Sequence, residues 1–180
     1  LLAGSTYLVY GKSLDGDGNG DIGVSPVDLA NLAGTYGIRL DGTATRDEAG
    51  WSVSSAGDVD GDGKDDILIG AFAADVGGDT YTGETYLVFG SHLATDPGTV
   101  DLGDLSGGKG VRLRGIDPND YSGVSVSSAG DVDGDGKNDI LIGAYGAAPG
   151  GDSRAGEIYL VFGSYLATDP GTVDLSDLTG

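Results

Sequence analysis

The sequence predicts an all-β protein built from repeated sheets of four short antiparallel strands. Residues 52–64, SVSSAGDVDGDGK, return unchanged at residues 125–137, which is 73 positions later. Around these copies, short apolar runs alternate with clusters of glycine and aspartate, as is typical of strands joined by turns. No long segment shows a helical period. Repetition at a fixed period of this length indicates a repeat architecture.

Each repeat contains up to four predicted strands separated by glycine-rich turns. In the most complete repeat they span residues 49–57, 66–72, 83–89 and 110–114. The next repeat supplies the first three strands, at residues 122–130, 139–145 and 156–162, and an earlier partial copy supplies the last two, at residues 6–11 and 37–40. The second strand is a continuous apolar run, so we expect it to be buried on both faces.

A single four-stranded sheet cannot cover both of its own faces. Stacking such sheets radially, as in a β-propeller, covers them. We therefore predict about 2.5 propeller blades in the 180 residues: a partial blade at 1–42, a complete blade at 43–115, and a blade lacking its last strand at 116–180. Because propellers typically have about 4–8 blades, we expect further blades of the same protein, or other copies of the chain, to pack against these.

The composition excludes several classes of function. The chain has 29 acidic and 9 basic residues and a net charge of -20, which argues against nucleic acids and anionic membrane surfaces as partners. It has no cysteine, which excludes disulfides and zinc–thiolate sites. No apolar run approaches the ~20 residues of a membrane span, so we expect no membrane insertion.

Acidic residues are concentrated in the loops that join the first two strands of each repeat. Aspartates occupy positions 1, 3, 5 and 9 of these loops: Asp58, Asp60, Asp62 and Asp66, then Asp131, Asp133, Asp135 and Asp139. Carboxylates this close repel one another unless a cation lies among them, and Ca²⁺ binds about six to eight hard oxygens. Position 7, Lys64 or Lys137, would offer its carbonyl while its ammonium points to solvent. We therefore predict one Ca²⁺ in each loop.

Ordinary polar turns, magnesium sites and EF-hands fit the acidic loops less well. Asp-Gly is a common turn dipeptide, so a polar turn without an ion is the simplest of the three alternatives. It leaves the repulsion among the four aspartates of each loop without a counter-ion. In either case, Gly63 and Gly136 follow the third aspartate, where a tight bend needs a residue without Cβ. Magnesium resists such an all-protein cage. An EF-hand requires glutamate at position 12 between two helices, but position 12 here is Ile69 or Ile142, inside a predicted strand.

A third acidic segment lies near the N terminus, at residues 13–21. It aligns with the two loops and places oxygen-bearing side chains at positions 1, 3, 5, 7 and 9: Ser13, Asp15, Asp17, Asn19 and Asp21. It follows a third strand rather than a first one. Calcium binding and a solvated loop both remain open for this segment.

The order of these motifs resembles that of FG-GAP repeats, which build the β-propeller of integrin α subunits and occur in many bacterial surface and secreted proteins. The FG pair of that family corresponds here to Ala49-Gly50 and Ser122-Gly123. The GAP triplet corresponds to Gly70-Ala71-Phe72 and Gly143-Ala144-Tyr145. The resemblance implies a propeller fold, calcium in the loop between the first two strands of a blade, and an extracellular location.

The expected function is that of a non-catalytic, calcium-stabilised module for adhesion or ligand binding, with a protein or a glycan as the ligand. The alternatives are a structural spacer or filament subunit of a large repetitive surface protein, and the accessory propeller of a secreted phospholipase or carbohydrate-active enzyme. The single histidine, His92, corresponds to Tyr165 in the next repeat, which argues against a general base. Trp51, which corresponds to Val124, is expected to pack in the core or between blades rather than to form a ligand platform.

Overall fold

The structure is a computed structural model that describes residues 4–10, 29, 32, 37–95, 98–168 and 170–178. Its strands are β1 (Ser5–Val9), β2 (Gly37–Asp41), β3 (Ser52–Gly57), β4 (Asp66–Ala71), β5 (Glu84–Val88), β6 (Thr99–Asp101), β7 (Gly110–Arg114), β8 (Ser122–Gly130), β9 (Asp139–Ala144), β10 (Glu157–Val161) and β11 (Thr172–Asp174). Its helices are α1 (Gly90–Thr95) and α2 (Gly163–Leu166), with 3-10 turns at Pro149–Gly151 and Leu175–Leu178. In these described ranges, no helix is long and apolar enough to cross a membrane.

The strands form three sheets that follow the sequence repeats. In the central sheet, β3, β4, β5 and β7 pair antiparallel in chain order and make one complete four-stranded blade. The N-terminal sheet pairs β1 with β2, and the C-terminal sheet pairs β8, β9 and β10, again antiparallel. The predicted all-β fold is therefore confirmed, and each predicted strand lies close to its predicted limits.

The central and C-terminal repeats each also contain a short strand that the sequence does not predict. Strand β6 follows the third strand of the central repeat but runs parallel to β2 in the N-terminal sheet. In the same way, β11 follows the third strand of the C-terminal repeat and runs parallel to β7 in the central sheet. In these two repeats, the segment after the third strand therefore reaches back and extends the outer edge of the preceding blade.

Apolar cores lie between neighbouring sheets. Leu68 of β4 packs with Ile140 in the core between the central and C-terminal sheets. Its neighbour Ile69 packs with Ile38 in the core between the central and N-terminal sheets. Successive side chains of a strand point to opposite faces, so the continuous apolar run of β4 serves both cores. This confirms that the second strand of the central repeat is buried on both faces.

The central and C-terminal sheets approach closely at a glycine of the GAP-like triplet. A Cβ on Gly70 would lie 2.0 Å from the carbonyl oxygen of Gly123. The hydroxyl of Ser52 donates to that same oxygen at 2.8 Å. A side chain at Gly70 would therefore push the two blades apart, which explains why glycine occupies this position.

The two α-helices are a local departure from the all-β expectation. Each follows a third strand and begins at a glycine whose N–H donates to a buried aspartate: Gly90 to Asp66 at 2.8 Å, and Gly163 to Asp139 at 2.9 Å. A helix of four to six residues is too short to show a helical period in the sequence. The first turn of each helix is stabilised by a carboxylate from a distant strand, which the sequence of the helix itself cannot show.

Candidate metal centre

The acidic loops are the hairpin connections at one end of the sheets. Residues 58–66, the first acidic loop, join β3 to β4, and residues 131–139, the second acidic loop, join β8 to β9. Gly63 and Gly136 have φ angles of 87° and 90°, which residues with a Cβ rarely adopt. These glycines let the chain bend tightly after the third aspartate of each loop, as the sequence predicts.

Three carboxylates of the first acidic loop converge. Asp58, Asp60 and Asp62 each place an oxygen within 4.8 Å of the others. Asp58 also closes the turn, because its carboxylate accepts the N–H of Gly61 at 2.8 Å and that of Gly63 at 2.9 Å. Since like charges repel, it is the backbone of the loop that holds these side chains together.

The fourth aspartate of the first acidic loop, Asp66, is fully buried. Its two oxygens accept the N–H groups of Val59 and Gly90, both at 2.8 Å. Burial raises the pKa of Asp66 to about 6; the two N–H bonds oppose this shift, and the charges of Asp60 and Asp58 add to it. Asp66 therefore joins the loop, strand β4 and helix α1 through its own hydrogen bonds.

The second acidic loop brings together a different subset of its four aspartates. Asp131, Asp133 and Asp139 place oxygens within 4.8 Å of one another. Asp139 is buried and accepts two backbone N–H groups, as Asp66 does. The carboxylate of Asp135 instead accepts a backbone N–H within the loop. Each of loop positions 1, 3, 5 and 9 therefore joins the carboxylate cluster in at least one of the two loops.

The expectation that the ammonium groups of the two loop lysines point to solvent was wrong for Lys137, whereas Lys64 is exposed. The Lys64 ammonium lies 3.1 Å from the carboxylate of Asp62 in its own loop. The Lys137 ammonium reaches the first acidic loop and donates to the backbone carbonyl of Asp60 at 2.7 Å. Both cations are drawn to the negative potential of the loops. The role of the two lysine carbonyls as metal ligands stays a prediction.

Besides Lys137, the two acidic loops contact each other through Asn138, which sequence reasoning missed. Asn138 accepts the N–H of Asp58 at 3.1 Å through its side chain and donates its own N–H to the carbonyl of Asp58 at 2.8 Å. Asn138 is the one position at which the two loops differ, since the first has Asp65 there. That single difference was the only sign in the sequence that this position is special, and its role becomes clear only from the packing of the blades.

The donor set of the loops fits a hard divalent cation. Each cluster offers carboxylate oxygens and neither nitrogen nor sulfur, which is the ligand chemistry that Ca²⁺ prefers. Burial raises the pKa of Asp60, and the charges of Asp62 and Asp58 raise it further, while a backbone hydrogen bond and the charge of Lys137 oppose the shift. A cation among these groups would replace this repulsion by attraction. The assignment of individual ligands in the two loops stays a prediction.

The other site candidates add no further cluster in the part of the chain that the structure describes. There, the two acidic loops supply the groups of three or more acidic or histidine side chains that could share an ion. The third acidic segment, with Ser13, Asp15, Asp17, Asn19 and Asp21, lies outside the described residues. His92 lies in α1, and its counterpart Tyr165 lies in α2.

One complete four-stranded blade lies between two partial sheets, and an acidic hairpin loop joins the first two strands of the central and C-terminal sheets. This arrangement defines the chain as a set of β-propeller blades. The family model of the FG-GAP repeat matches residues 49–88 and residues 122–161. Each match runs from the first strand of a blade through its acidic loop to the third strand. These two segments of the chain are therefore FG-GAP repeats.

Two kinds of curated protein are similar to this chain. Phosphatidylinositol-glycan-specific phospholipase D is 27% identical over 174 residues in Rattus norvegicus (97% of this chain, 18% of that protein) and 33% identical over 115 residues in Homo sapiens (64% and 13%). Integrin alpha-5 of Xenopus laevis is 34% identical over 130 residues (69% of this chain, 10% of that protein). The chain thus spans less than a fifth of the length of these relatives.

Proposed function

We propose that this chain is a non-catalytic, Ca²⁺-stabilised repeat module of a secreted or cell-surface protein that acts in adhesion or ligand binding. The observation that carries the proposal is the convergence of carboxylates in two equivalent loops of two stacked blades. Extracellular modules bind Ca²⁺ with dissociation constants of about 10⁻⁴–10⁻³ M, which suits the calcium concentrations outside cells. The similarity to an integrin α subunit supports the adhesive role.

Calcium would stabilise more than the loops themselves. In the first acidic loop, an ion bound by Asp58, Asp60 and Asp62 would lie beside Asp66, which holds both β4 and the start of α1. The two loops are also hydrogen-bonded to each other through Asn138. Ion binding in one blade is therefore expected to strengthen the contact between blades.

Calorimetric titration of the chelated protein with Ca²⁺ tests this proposal. We expect one equivalent for each acidic loop and a third equivalent if the segment at residues 13–21 also binds. Asp60→Ala should remove one equivalent, and Asp133→Ala should remove another. Asp79→Ala, which changes an exposed aspartate outside the loops, is the matched control and should remove none. Fewer than two equivalents in the unmodified protein would contradict the proposal.

An accessory propeller of a secreted enzyme is the second candidate. It is favoured by the similarity to phosphatidylinositol-glycan-specific phospholipase D, which extends over 97% of the chain. In that case the propeller would accompany a catalytic domain without contributing the reacting groups. Hydrolysis of a phosphatidylinositol glycan by this chain alone, lost on His92→Ala, would contradict the non-catalytic assignment. An accessory carbohydrate-active enzyme propeller and a structural spacer are the remaining alternatives.

We also propose that a further blade, from the same protein or from another copy, covers the C-terminal sheet. Ile158 and Leu160 of β10 are 76% and 39% exposed, whereas the equivalent Thr85 and Leu87 of β5 are fully buried. In the central sheet, β8 of the next blade packs against this face. Light scattering tests the idea, and a sharply melting monomer with no tendency to associate would contradict it for the 180-residue chain.

A further inference from the structure

A row of aromatic side chains lies at the end of the sheets opposite the acidic loops. This aromatic row consists of Trp51, Phe72, Tyr81, Tyr121 and Tyr145. Its ring centroids are 4.9 Å apart from Trp51 to Phe72, 6.1 Å from Phe72 to Tyr121, 5.6 Å from Tyr81 to Tyr121 and 5.0 Å from Tyr121 to Tyr145. Trp51 and Tyr121 precede first strands, Phe72 and Tyr145 follow second strands, and Tyr81 precedes a third strand. Antiparallel pairing places all of these positions away from the acidic loops.

The aromatic row is open to solvent even where two blades meet. Trp51 is 62% exposed, Tyr81 is 46% exposed and Tyr145 is 53% exposed. The expectation that Trp51 packs in the core or between blades was therefore wrong: it contacts the edge of Phe72 and leaves most of its surface free. A contiguous group of exposed tyrosine and tryptophan side chains is typical of an interaction site.

Two rings of the aromatic row are held in a backbone conformation that disfavours tyrosine. Tyr81 and Tyr121 have φ angles of 55° and 57°, which are uncommon for bulky residues. The equivalent positions Arg154 and Glu48 have φ angles of 57° and 56°, so the fold of the repeat requires this conformation. Glycine or asparagine would suit it better. A tyrosine at either position therefore stores backbone strain, which a role in binding would explain.

The aromatic row is also where the two repeats differ most clearly in chemistry. The acidic loops differ at one position, and both candidate ion sites lie in that repeated part. In contrast, most of the aromatic residues have no aromatic counterpart 73 positions away: Trp51, Tyr81 and Tyr121 correspond to Val124, Arg154 and Glu48. The aromatic row therefore belongs to the junction between these two blades rather than to the repeat as such.

The loops around the aromatic row are predominantly acidic. Their exposed charged residues are Glu48, Asp75, Asp79, Asp117 and Asp152, against the two arginines Arg46 and Arg154. Carboxylates accept hydrogen bonds from hydroxyl groups, and their charge repels anionic ligands.

The solvent-exposed area of the aromatic row is small. A whole aromatic side chain has about 150–250 Å² of surface, so the exposed fractions of the three most exposed rings correspond to roughly 300 Å² in total. This is less than half of the ~800 Å² that one partner buries in a stable protein–protein interface.

We propose that the aromatic row binds a neutral oligosaccharide. The apolar C–H faces of its sugar rings would stack on Trp51 and Tyr81, and its hydroxyl groups would donate to carboxylates of the surrounding loops. A narrow, uncharged chain matches both the small open area and the negative surroundings better than a folded protein or an anionic glycan does. This inference rests on the proposed role as a binding module and specifies the class of ligand.

The chain carries its own probe for this test, because Trp51 is its one tryptophan. The calcium-loaded chain is titrated with cello-, chito-, xylo- and malto-oligosaccharides while its fluorescence is followed. Retention on the corresponding polysaccharides is measured by affinity electrophoresis. We expect at least one of these neutral glycans to shift the Trp51 emission and to retard the chain. Heparin, a polyanionic glycan, should do neither.

Substitutions connect the binding to the aromatic row. Trp51→Ala and Tyr81→Ala should weaken retention at least tenfold, whereas Tyr81→Phe, which keeps the ring, should retain most of it. Tyr165→Ala is the matched control, since Tyr165 is 41% exposed but lies on α2, and it should leave retention unchanged. Circular dichroism and melting in Ca²⁺ verify that each variant is folded.

Several outcomes would overturn the inference. Absence of retention by every neutral glycan would do so, and so would equal losses in Tyr81→Ala and Tyr165→Ala. A shift of the Trp51 emission by an oligo-arginine peptide, with no response to glycans, would assign the aromatic row to a cationic protein partner instead. If the chain binds two Ca²⁺ but no glycan, only the glycan inference is contradicted. If it binds neither, the proposed calcium stabilisation is contradicted as well.

Discussion

The two ends of the central and C-terminal blades differ in how closely the repeats resemble each other. At one end, the acidic loops are nearly identical in sequence, converge their carboxylates and contact each other through Asn138. At the other end, the same strands carry a row of aromatic rings that the repeat does not reproduce. One end is therefore built the same way in each blade, and the other is particular to one junction. We infer that the repeated end supports stability and that the diverged end supports recognition.

The two ends should differ most in their contribution to stability, and calcium removal should show this difference most clearly. At a free Ca²⁺ concentration 100 times the dissociation constant, each occupied loop adds about 2.7 kcal/mol to the free energy of unfolding. Losing two such sites should lower the melting temperature by about 10–20 °C. Trp51→Ala, at the other end, should cost about 1 kcal/mol through its contact with Phe72. Melting curves in Ca²⁺ and in chelator at matched ionic strength compare the two, and equal midpoints would refute the role of the loops.

Within the first acidic loop, buried and exposed aspartates should behave differently in the chelated protein. Asp66→Ala leaves the N–H groups of Val59 and Gly90 without acceptors, at about 1–3 kcal/mol each, so we expect a loss of about 4 kcal/mol. Asp60→Ala relieves repulsion and should change stability by less than about 1 kcal/mol. Urea unfolding in chelator measures both. Equal losses would mean that Asp66 has no structural role beyond that of its neighbours.

The pH dependence of stability should change sign with calcium. The pKa of Asp66 is about 6 in the folded chain against 3.8 for an ordinary aspartate. Without Ca²⁺, the folded state holds the extra proton between these values, so stability should fall as pH rises from about 4 to about 6, by at most about 3 kcal/mol. With Ca²⁺, which binds the ionised carboxylates, stability should rise over the same window.

Urea unfolding at closely spaced pH values, in Ca²⁺ and in chelator, measures these two slopes. Asp66→Asn should remove most of the negative slope in chelator, whatever its absolute stability, because the titrating group is gone. A slope in chelator that is unaffected by this substitution would assign the pH dependence to other carboxylates.

The smallest expected effect concerns the contact between the two acidic loops. Asn138→Asp keeps an acceptor for the N–H of Asp58 but adds a negative charge between two acidic loops, so we expect a loss of about 1 kcal/mol. The loss should be larger in chelator than in Ca²⁺. Asp65→Asn, the reverse exchange at an exposed position, should change stability by less than about 0.5 kcal/mol. Chemical unfolding of both variants distinguishes them, and equal effects would show that the loop contact contributes nothing.

Much of the fold could be predicted because the relevant signals are local. Apolar runs bounded by glycine and aspartate located each long strand, since side-chain alternation and turn chemistry depend only on neighbouring residues. The spacing of Asp58, Asp60 and Asp62 predicted a shared cluster for the same reason: a short loop leaves these side chains little freedom to separate. Internal repetition then showed that blades must stack, because one sheet cannot cover both of its faces.

Only the tertiary structure decided the features that depend on distant residues. Strands β6 and β11 have too few residues to indicate a strand by themselves, and their partners lie in the preceding blade. The start of α1 depends on the carboxylate of Asp66, which is 24 residues away in the chain. The exposure of Trp51 depends on how two blades meet, which its own strand cannot reveal. Sequence pattern determined the strands and the acidic loops, whereas packing between blades determined which side chains remain free to bind a ligand.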